Sequence, residues 1–497
     1  MDKNEKKALE QRAEKWIAEH KGRLVQDIIR LVKIRSISDP EHGTEEAPFG
    51  EGCKKVLEEA LAIGREHGFE TAMYDNRIGA MWYSEGKWED TIGFWGHMDV
   101  VPEGEDWDNK PYEPVYRDGY LIGRGSRDNK GPTMAIMYVI ECLKDLGVNL
   151  RRPLRLFLGC DEEKGMRDIE HYTAHYPCPG LSMVADCGFP VCYGEKGIIE
   201  ANLLSGGKVT GAIVSFSGGV ASNMVPDRAN VVLNPKFFQD GGEEKILAIG
   251  EKDGFTVSRN GENIAIEARG VSKHTAFPFG GINAIQQLAV ALVESGALPE
   301  SDTKTLEFIC QVNQDFEGTG VNVVYSDEVS GALTCVGSMA WLTDGRLTQH
   351  INIRYSITAD SEQLLKNIDG SYKKAGWEMQ LIRDNKPNYF PRERPEVKLL
   401  TDLFNEMTGL EKAAYVMGGG TYARKLPNAF AYGMSGIPSP KPSEGLFREG
   451  HGGAHAPDEG LDVEGLVKAM KIYVMALIEL DEINDTMSAR VTQEVDW

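Results

Sequence analysis

The sequence predicts an α/β protein in which an α+β domain is inserted into a layered α/β domain. Strand-like apolar runs alternate with helical segments up to about residue 195, which is typical of a sheet covered by helices on both faces. From about residue 196 strand-like segments predominate and the helices are segregated, which is typical of α+β folds. The length of 497 residues also favours more than one domain.

The elements of the first domain are predicted from periodicity and from stop signals. Leu24, Ile28 and Val32 recur at helical spacing, and Gly147 is a stop signal for the helix before it. The expected elements are helices over 5–35 and 54–67, strands over 71–74, 80–83, 91–95 and 119–122, a helix over 132–146, a strand over 154–158, a helix after Glu163 and a strand over 181–185.

The inserted domain and the return of the chain follow from a change in pattern. Strands are expected over 199–204, 211–217, 230–233, 263–270 and 350–357, and helices over 281–295 and 361–375. The Pro- and Arg-rich stretch 384–395 is expected to be the return linker, and a helix over 463–480 follows it. The predicted boundaries are 1–195 for the first part of the outer domain, 196–385 for the insert and 386–497 for the second part.

Composition excludes several functional classes. The chain has 54 Lys and Arg against 76 Asp and Glu, a net charge of −22, which argues against binding to nucleic acid or to anionic lipid. No apolar run approaches the roughly 20 residues of a membrane span, and the polar N-terminus does not resemble a signal peptide. The eight cysteines include no C-x-x-C pair, which favours a reducing, cytoplasmic location.

Five polar clusters lie in loops or directly after predicted strands. They are Gly96–Asp99, Gly123–Pro132, Asp161–Gly165, Ala185–Pro190 and Gly453–Glu459. Ligands of open α/β sheets bind outside the carboxyl ends of the strands, so these clusters can converge there. Each one alone is also compatible with a helix cap or a turn. Together they offer histidine and carboxylate, which suit Zn²⁺, Mn²⁺ or Co²⁺ and can bridge two metals.

The clusters, taken in order, resemble a known enzyme superfamily. Its motifs are matched by GHMDVVPEGEDW, GRGSRDNKGP, DEEKG, ADCGFP and GAHAPDE. This pattern is similar to the co-catalytic zinc metallopeptidases, which include aminoacylases, carboxypeptidases and dipeptidases. The segments YGEKG, ASNMVPD, GVSKHTAFP, NIRYS and GGGTYAR resemble the peptidase V and carnosinase-like dipeptidase branch in particular.

The resemblance implies a zinc-peptidase-type three-layer catalytic domain with an inserted lid and two divalent metal ions, zinc or alternatively manganese or cobalt. Five side chains are implied as ligands: His97 and Asp186 for one ion, Glu163 and His455 for the other, and Asp128 between them. Asp99 would hydrogen-bond His97 and fix its tautomer, and Glu162 would be the general base and then the proton donor.

The resemblance also implies residues that bind the substrate. His274 would stabilise the oxyanion, Asn223 would hold the substrate, and Arg354 would bind its C-terminal carboxylate. Backbone groups would come from the loop residues Gly419, Gly420, Thr421 and Tyr422. Structural alternatives stay open, with Arg354 as a charge on a strand surface and His274 as a structural hydrogen-bonding residue.

Two positions near the implied ligands need separate interpretation. Asn129 stands where many relatives carry a second aspartate after the bridging one, which removes a charge beside the metals. His451 lies four residues before His455 and competes with it as the last ligand. His455 is preferred, because it has the H-x-x-D-E context of the family and His451 does not.

The function implied is a broad-specificity dipeptidase that acts on small peptides as a monomer, with a homodimer as the alternative. An N-acyl amino acid deacylase or a carboxypeptidase on the same scaffold is the first rival. The second rival is a catalytically silent metal-binding scaffold protein, against which the intact Glu162 and ligand set argue.

Overall fold

A computed structural model of the chain describes residues 3–438 and 443–483. The described residues form two units. Unit 1 takes the chain up to Tyr193, then Tyr389–Tyr415 and the residues from Gly420 onward, and unit 2 takes Gly194–Asn388 and Val416–Gly419. The third predicted segment, 386–497, includes residues 439–442 and 484–497, which lie outside the described residues.

Unit 1 begins with a helix whose apolar face is buried through Leu24, Ile28 and Leu31. Strand β3, which is fully buried along its length, lies in the middle of this part of the chain. The elements are α1 (Lys3–Val32), α2 (Glu51–Glu66), β1 (Glu70–Tyr74), β2 (Ile78–Trp82), β3 (Ile92–His97), β4 (Val115–Arg117), β5 (Tyr120–Ile122), α3 (Gly131–Asp145), β6 (Leu154–Gly159), α4 (Arg167–His175), β7 (Leu181–Val184), β8 (Cys187–Gly188) and β9 (Val191–Glu195).

Unit 2 is built on an antiparallel sheet in the order β13-β14-β12-β11-β17-β18-β10-β19. Alternate residues such as Ile199, Ile351 and Ile353 belong to one buried core with Leu288 and Leu292 of a helix. The elements are β10 (Gly197–Leu204), β11 (Ile213–Gly218), β12 (Arg228–Leu233), α5 (Gly242–Leu247), β13 (Phe255–Asn260), β14 (Asn263–Arg269), α6 (Ala284–Ser295), α7 (Glu300–Val312), β15 (Ser326–Asp327), β16 (Gly331–Ala332), β17 (Thr334–Thr343), β18 (Arg346–Tyr355), α8 (Ser361–Lys374) and β19 (Glu378–Asn385).

The returning chain completes the nine-stranded sheet that unit 1 mainly builds, in the order β1-β2-β6-β3-β7-β22-β9-β20 with β21 paired to β9. Strands β6, β3, β7 and β22 are parallel, whereas β1 and β2 are antiparallel at one edge. Helix α10 packs on α1 and α3. The elements are β20 (Asn388–Tyr389), α9 (Pro395–Thr408), β21 (Tyr415–Met417), β22 (Ala429–Tyr432), β23 (Met434–Ser435), β24 (Gly460–Asp462) and α10 (Val463–Glu482).

Both sheets have the character that the sequence predicts for them, a largely parallel one with helices and an antiparallel one with segregated helices. The interval predicted as a linker is shorter than expected, because β19 continues to Asn385 and α9 begins at Pro395. Helix α6 begins at Ala284, since the side chain of Asn283 caps it by accepting from the backbone N–H of Ile285 and Gln286. None of the helices within 3–438 and 443–483 has the length and apolar character needed to cross a bilayer.

Candidate metal centre

Three parallel strands of unit 1 end at the same edge of the sheet. His97, the last residue of β3, pairs with Gly159 at the end of β6. Val184 at the end of β7 pairs with Trp95 of β3. The loops after these strands therefore begin side by side. They carry four predicted site residues: Asp99, Glu162, Glu163 and Asp186.

Asp128 reaches this edge from the turn Ser126–Lys130, which leads into α3. Strand β3 lies directly against the turn, because a Cβ at Gly96 would collide with the side chain of Thr133 and contact that of Asn129. Glycine is therefore required at position 96 for this close approach.

The five predicted ligands lie together around Asp128. Its Oδ1 is 3.0 Å from His97 Nε2, and its Oδ2 is 3.2 Å from His455 Nε2. Asp186 Oδ2 is 3.6 Å from His97 Nε2, and Glu163 Oε1 is 3.0 Å from His455 Nε2. The two oxygens of Asp128 thus face two different histidines.

These distances, 3.0–3.6 Å, lie at or slightly below those between the donor atoms of one metal ion. Zinc bonds to nitrogen and oxygen of about 2.0–2.2 Å place neighbouring donor atoms of a tetrahedral site roughly 3.3–3.6 Å apart. The candidate metal-holding groups include His97 with Asp128 and Glu163, and His97 with Glu162 and Asp186. Nitrogen from imidazole and oxygen from carboxylate suit zinc and the neighbouring divalent transition metals.

Burial and the crowding of carboxylates shift several pKa values in the cluster. Burial, followed by the charge of Asp128, raises the pKa of Asp186 to about 7. Burial raises the pKa of Glu163, and it raises that of Glu162 well above its usual range. Hydrogen bonds to Asp128 and Glu163 raise the pKa of His455 to about 11. A cation would replace the protons that balance this charge, so metal binding would release them.

The first histidine is oriented through its other ring nitrogen. His97 Nδ1–H donates to the backbone carbonyl of Asp99 at 3.0 Å, and the carboxylate of Asp99 lies 3.4 Å from the same nitrogen. This contact keeps the proton on Nδ1 and leaves Nε2 to face the carboxylates. The carboxylate of Asp99 has a second task that its sequence context does not reveal, since it accepts from the backbone N–H of Glu162 and Glu163 at 3.2 and 3.1 Å.

Glu162 differs from its neighbours in having an unused acceptor. Its Oε1 is buried and has no hydrogen-bond partner among the described residues. Burying an acceptor without a partner costs about 1–3 kcal/mol, so such a group points to a function or to a bound molecule. The side chain belongs to one of the candidate metal-holding groups, with His97 and Asp186.

The amide of Asn129 explains why asparagine is compatible with this site. Its Nδ2 donates to Asp186 Oδ1 at 3.0 Å and to the carbonyl of Ala185 at 2.9 Å. Its Oδ1 accepts from the hydroxyl of Thr133 at 2.6 Å. An ionised aspartate in this position would face Asp186 with a like charge, whereas the amide donates to Asp186 and fixes its orientation.

A fully buried ion pair supports the turn that presents Asp128. Glu459 Oε2 accepts from Arg124 Nη1 at 2.8 Å. Its Oε1 accepts from the backbone N–H of Gly125, Arg127 and Asp128 at 2.9–3.1 Å. One carboxylate thus satisfies three backbone donors at the start of the turn, although the sequence alone gives this glutamate no role beyond its place in the motif.

Replacing Glu459 by Gln is expected to lower the free energy of unfolding by about 3 kcal/mol, because it leaves Arg124 buried without its counter-charge. Urea unfolding at a fixed zinc concentration measures the change. Glu464→Gln is the matched control: Glu464 pairs with Lys21 at 2.7 Å on a more exposed surface, so its loss is expected to cost less than about 1 kcal/mol. Equal effects of the two substitutions on the free energy of unfolding would contradict the stabilising role of Glu459.

His451, the competitor for the last ligand, belongs to a different contact. Its Nδ1 lies 2.6 Å from Asp458 Oδ2, and Asp458 also accepts from the backbone N–H of Asp108 and Asn109 at 3.0 and 2.8 Å. Asp108, His451 and Asp458 form a third candidate metal-holding group. The oxygens of Asp458 already accept from several N–H donors. We therefore interpret the contact between His451 and Asp458 as one that stabilises the loop carrying His455.

The loop of Glu162 and Glu163 is supported by two buried aspartates, Asp161 and Asp168, for which the sequence predicts no role. Asp168 Oδ2 accepts from the backbone N–H of Cys160 and Asp161 at 2.6 and 3.0 Å. The same oxygen accepts from the hydroxyl of Tyr422, whose side chain is buried. Asp161 in turn forms an ion pair with Arg167 at 2.7 Å. Tyr422 is predicted as part of a substrate-binding loop, but its side chain is buried in unit 1 and stabilises the loop of Glu162 and Glu163 through Asp168.

Unit 2 contains three of the other predicted residues, Asn223, His274 and Arg354. The backbone N–H of Thr275 donates to the carbonyl of Asn223 at 2.9 Å, so Asn223 and His274 lie on neighbouring segments. His274 Nδ1 accepts from the backbone N–H of Ala276 at 3.1 Å, which places the ring proton of the neutral tautomer on Nε2. Arg354 Nη1 donates to the carbonyl of Gly418 at 2.9 Å.

The glycine-rich loop is divided between the two units. Gly418 and Gly419 belong to unit 2, and Gly420, Thr421 and Tyr422 belong to unit 1. A Cβ at Gly418 would collide with Ala276, so this glycine permits the close approach of the loop to the segment of His274. Thr421 Oγ1 accepts from the backbone N–H of Ala423 and caps a single helical turn.

A cavity of about 600 Å³ in unit 1 borders the cluster. Asp128 and Asp186 form part of its wall, and apolar side chains such as Met434, Phe447 and Leu461 form another part. Its volume falls within the range of small-molecule sites, about 300–1,000 Å³.

Comparison with known proteins gives one family and full-length relatives. Residues 93–479 match the family described as Peptidase family M20/M25/M40. The protein named "Putative dipeptidase YtjP" of Bacillus subtilis (strain 168) is 32% identical over 469 residues, which covers 92% of this chain and 97% of that protein.

Solved structures with the same fold are more distant in sequence. The dipeptidase Dug1p of Saccharomyces cerevisiae is 14% identical with a TM-score of 0.57, covering 96% of this chain and 99% of that one. Human carnosine dipeptidase 1 is 13% identical with a TM-score of 0.55, covering 95% of this chain and 100% of that one. At these identities the likeness establishes the fold.

Proposed function

Because the chain belongs to peptidase family M20/M25/M40, we propose that it is a dipeptidase that hydrolyses small peptides with two divalent metal ions. One observation carries the proposal: the two oxygens of Asp128 face His97 and His455 respectively. A carboxylate that bridges two cations needs this arrangement. Zinc is the metal that these donors suit best, with manganese and cobalt as alternatives.

In this proposal five side chains hold the ions: His97 and Asp186 hold one, Glu163 and His455 hold the other, and Asp128 holds both. When bound, two such ions polarise the scissile carbonyl and lower the pKa of the attacking water. Asp99 keeps His97 in the tautomer whose Nε2 can bind a cation, through the contact at His97 Nδ1.

Glu162 performs the proton transfers. Its carboxylate accepts a proton from the attacking water as the water oxygen bonds to the carbonyl carbon. It then donates that proton to the amide nitrogen as the C–N bond breaks, which releases an amine and a carboxylic acid. Support comes from its buried Oε1, which has no partner among the described residues and is therefore available as an acceptor.

Unit 2 supplies the residues that bind the substrate and serves as a lid in this proposal. His274, whose ring proton is placed on Nε2 by the contact at Nδ1, donates to the carbonyl oxygen as negative charge develops on it. Arg354 binds the C-terminal carboxylate, for which a planar guanidinium is suited. Asn223 and backbone groups of 419–422 hold the rest of the substrate.

We also propose that the protein acts in the cytoplasm as a monomer, with a homodimer as the alternative. The eight cysteines are all thiols, including the buried Cys53 and Cys160, as expected in a reducing compartment. One chain carries both the metal cluster and the residues proposed to bind the substrate, so a second copy is not needed to complete the set.

The experiment that tests the function is a substrate panel. The full-length protein, loaded separately with Zn²⁺, Mn²⁺ or Co²⁺, is expected to hydrolyse unblocked dipeptides faster than tripeptides or N-acetyl amino acids. Turnover of N-acetyl amino acids without dipeptides would identify a deacylase. Stepwise removal of C-terminal residues from longer peptides would identify a carboxypeptidase. Metal binding without any turnover would identify a scaffold protein. Each of these outcomes overturns the proposal.

A further inference from the structure

Three buried polar side chains, Glu200, Asn352 and Arg354, lie on one face of the unit 2 sheet. Residue pairing across the strands places Glu200 of β10 opposite Asn352 of β18 on one side and Arg383 of β19 on the other. Arg354 lies two residues beyond Asn352 on β18, so its side chain leaves the same face of the strand.

The side chains form a continuous chain of hydrogen bonds. Arg354 Nε donates to Asn352 Oδ1 at 2.9 Å, and Asn352 Nδ2 donates to Glu200 Oε1 at 2.5 Å. Arg383 Nη2 donates to the same oxygen of Glu200 at 2.9 Å. Arg354, Asn352 and Glu200 are all at most 5% exposed, so the part of the chain that they form is shielded from solvent.

This arrangement fixes the plane of the Arg354 guanidinium. Its Nε is held by Asn352 and its Nη1 by the carbonyl of Gly418, and two contacts at different nitrogens define the orientation of a planar group. Asn352 itself has one available orientation, because its oxygen must face Arg354 and its nitrogen must face Glu200. Glu200 therefore determines the position of Arg354 through Asn352.

The charges of these groups also support a link between Glu200 and Arg354. A buried guanidinium is costly unless negative charge lies nearby. Glu200 provides negative charge near Arg354 without contacting it directly, because Asn352 lies between the two groups. Arg383 compensates Glu200 directly from the sheet edge, where its side chain is 42% exposed. Buried hydrogen-bonded networks restrict the side chains that they join to one geometry.

We propose that Asn352 and Glu200 are positioning residues that hold Arg354 for recognition of a substrate's C-terminal carboxylate, and thereby set the preference for peptides with a free C-terminus. The inference rests on the role given to Arg354 in the proposed function. It goes further by assigning the preference to two residues that do not touch the substrate.

The test compares a dipeptide with the same dipeptide carrying a C-terminal amide, on the metal-loaded full-length protein. Asn352→Leu is expected to lower the ratio of kcat/KM for the acid over the amide at least about 10-fold, the size of a lost hydrogen bond to a charged group. The loss is expected mainly as a higher KM for the acid. Asn202→Leu is the matched control, because Asn202 lies on the same face and contacts His350 instead. Its ratio is expected to stay within about 2-fold.

A second variant covers the case in which Asn352→Leu fails to fold. Glu200→Gln keeps the shape and one acceptor oxygen but removes the charge, and it is expected to lower the same ratio in the same direction, about 3-fold or more. Thermal unfolding and metal content identify misfolded variants. An unchanged ratio in a folded Asn352→Leu, or in Glu200→Gln where the first variant does not fold, would overturn the inference.

The failure of the inference can be distinguished from the failure of the proposed function. If the unaltered protein hydrolyses no dipeptide, the proposed function fails. If it hydrolyses acid and amide equally well, or if Arg354→Lys keeps the preference, the role of Arg354 fails. If Arg354→Lys loses the preference while folded Asn352→Leu and Glu200→Gln both keep it, the positioning inference alone is overturned.

Discussion

Glu162→Gln is expected to reduce kcat for dipeptides at least about 10²-fold while leaving the bound metal in place. Gln has nearly the same shape as Glu but cannot accept the proton of water or return it to the leaving amine. The backbone of residue 162 is held by Asp99 Oδ1 at 3.2 Å, so the loop is expected to keep its geometry. Steady-state kinetics and metal analysis on the same preparation measure the two quantities.

A control on the same segment separates proton transfer from a general loss of charge. Glu170→Gln alters a glutamate of α4 that forms an ion pair with Lys425 near the surface, and its kcat is expected to be unchanged. Glu162→Asp keeps the carboxylate but shortens the side chain, so it is expected to keep more activity than Gln. An active Glu162→Gln with its metal retained would remove Glu162 from the mechanism.

Local patterns in the sequence predict most of the fold. Strands β3 and β6 are buried apolar runs, and α3 has a long apolar face with a glycine after its end. The apolar pattern of the sequence therefore predicts all three elements. The same pattern does not predict strand β17 or helix α7. Helix α7 is largely polar with a few buried positions, and β17 is interrupted by a register shift between Gly337 and Met339. Pairing across the sheet, which decides such cases, is not encoded locally.

The cluster of candidate metal ligands can be predicted from the sequence, because its members follow strands or precede a helix in recognisable motifs. The family prediction made from those motifs is confirmed. The roles given to individual residues stay predictions. The motifs predict His97 and Asp128 as ligands. They do not predict the distance of 3.0 Å between His97 Nε2 and Asp128 Oδ1, which depends on the loop geometry around Gly96.

Supporting residues are harder to find from the sequence than ligands. Glu459 and Asp168 act on backbone N–H groups that lie in other loops, and a contact of that kind leaves no spacing or composition signal. Asp99 shows the same limit in another form. Its contact with His97 was predicted, but the use of its carboxylate by the backbone of Glu162 and Glu163 depends on two loops meeting in space.

Asp128→Asn is expected to have the other large effect, a loss of both activity and metal. The amide keeps the shape of the side chain but offers one oxygen and one NH2 group in place of two oxygens. It can therefore face only one of His97 and His455 as an acceptor, and it removes the negative charge that two cations would share. We expect zinc content to fall and activity to drop to background, with no recovery when zinc is added back.

Chelation and a matched substitution separate this effect from damage to the fold. Chelator is expected to inactivate the unaltered protein and to lower its melting temperature, since a ligand that binds the folded state stabilises it, and added zinc should restore both. Asp118→Asn is the control, because Asp118 lies in a turn with φ of 53° that asparagine also adopts. It should behave like the unaltered protein. If Asp128→Asn bound as much zinc as the control, Asp128 could not bridge the ions, because a bridging carboxylate contributes to both binding sites at once.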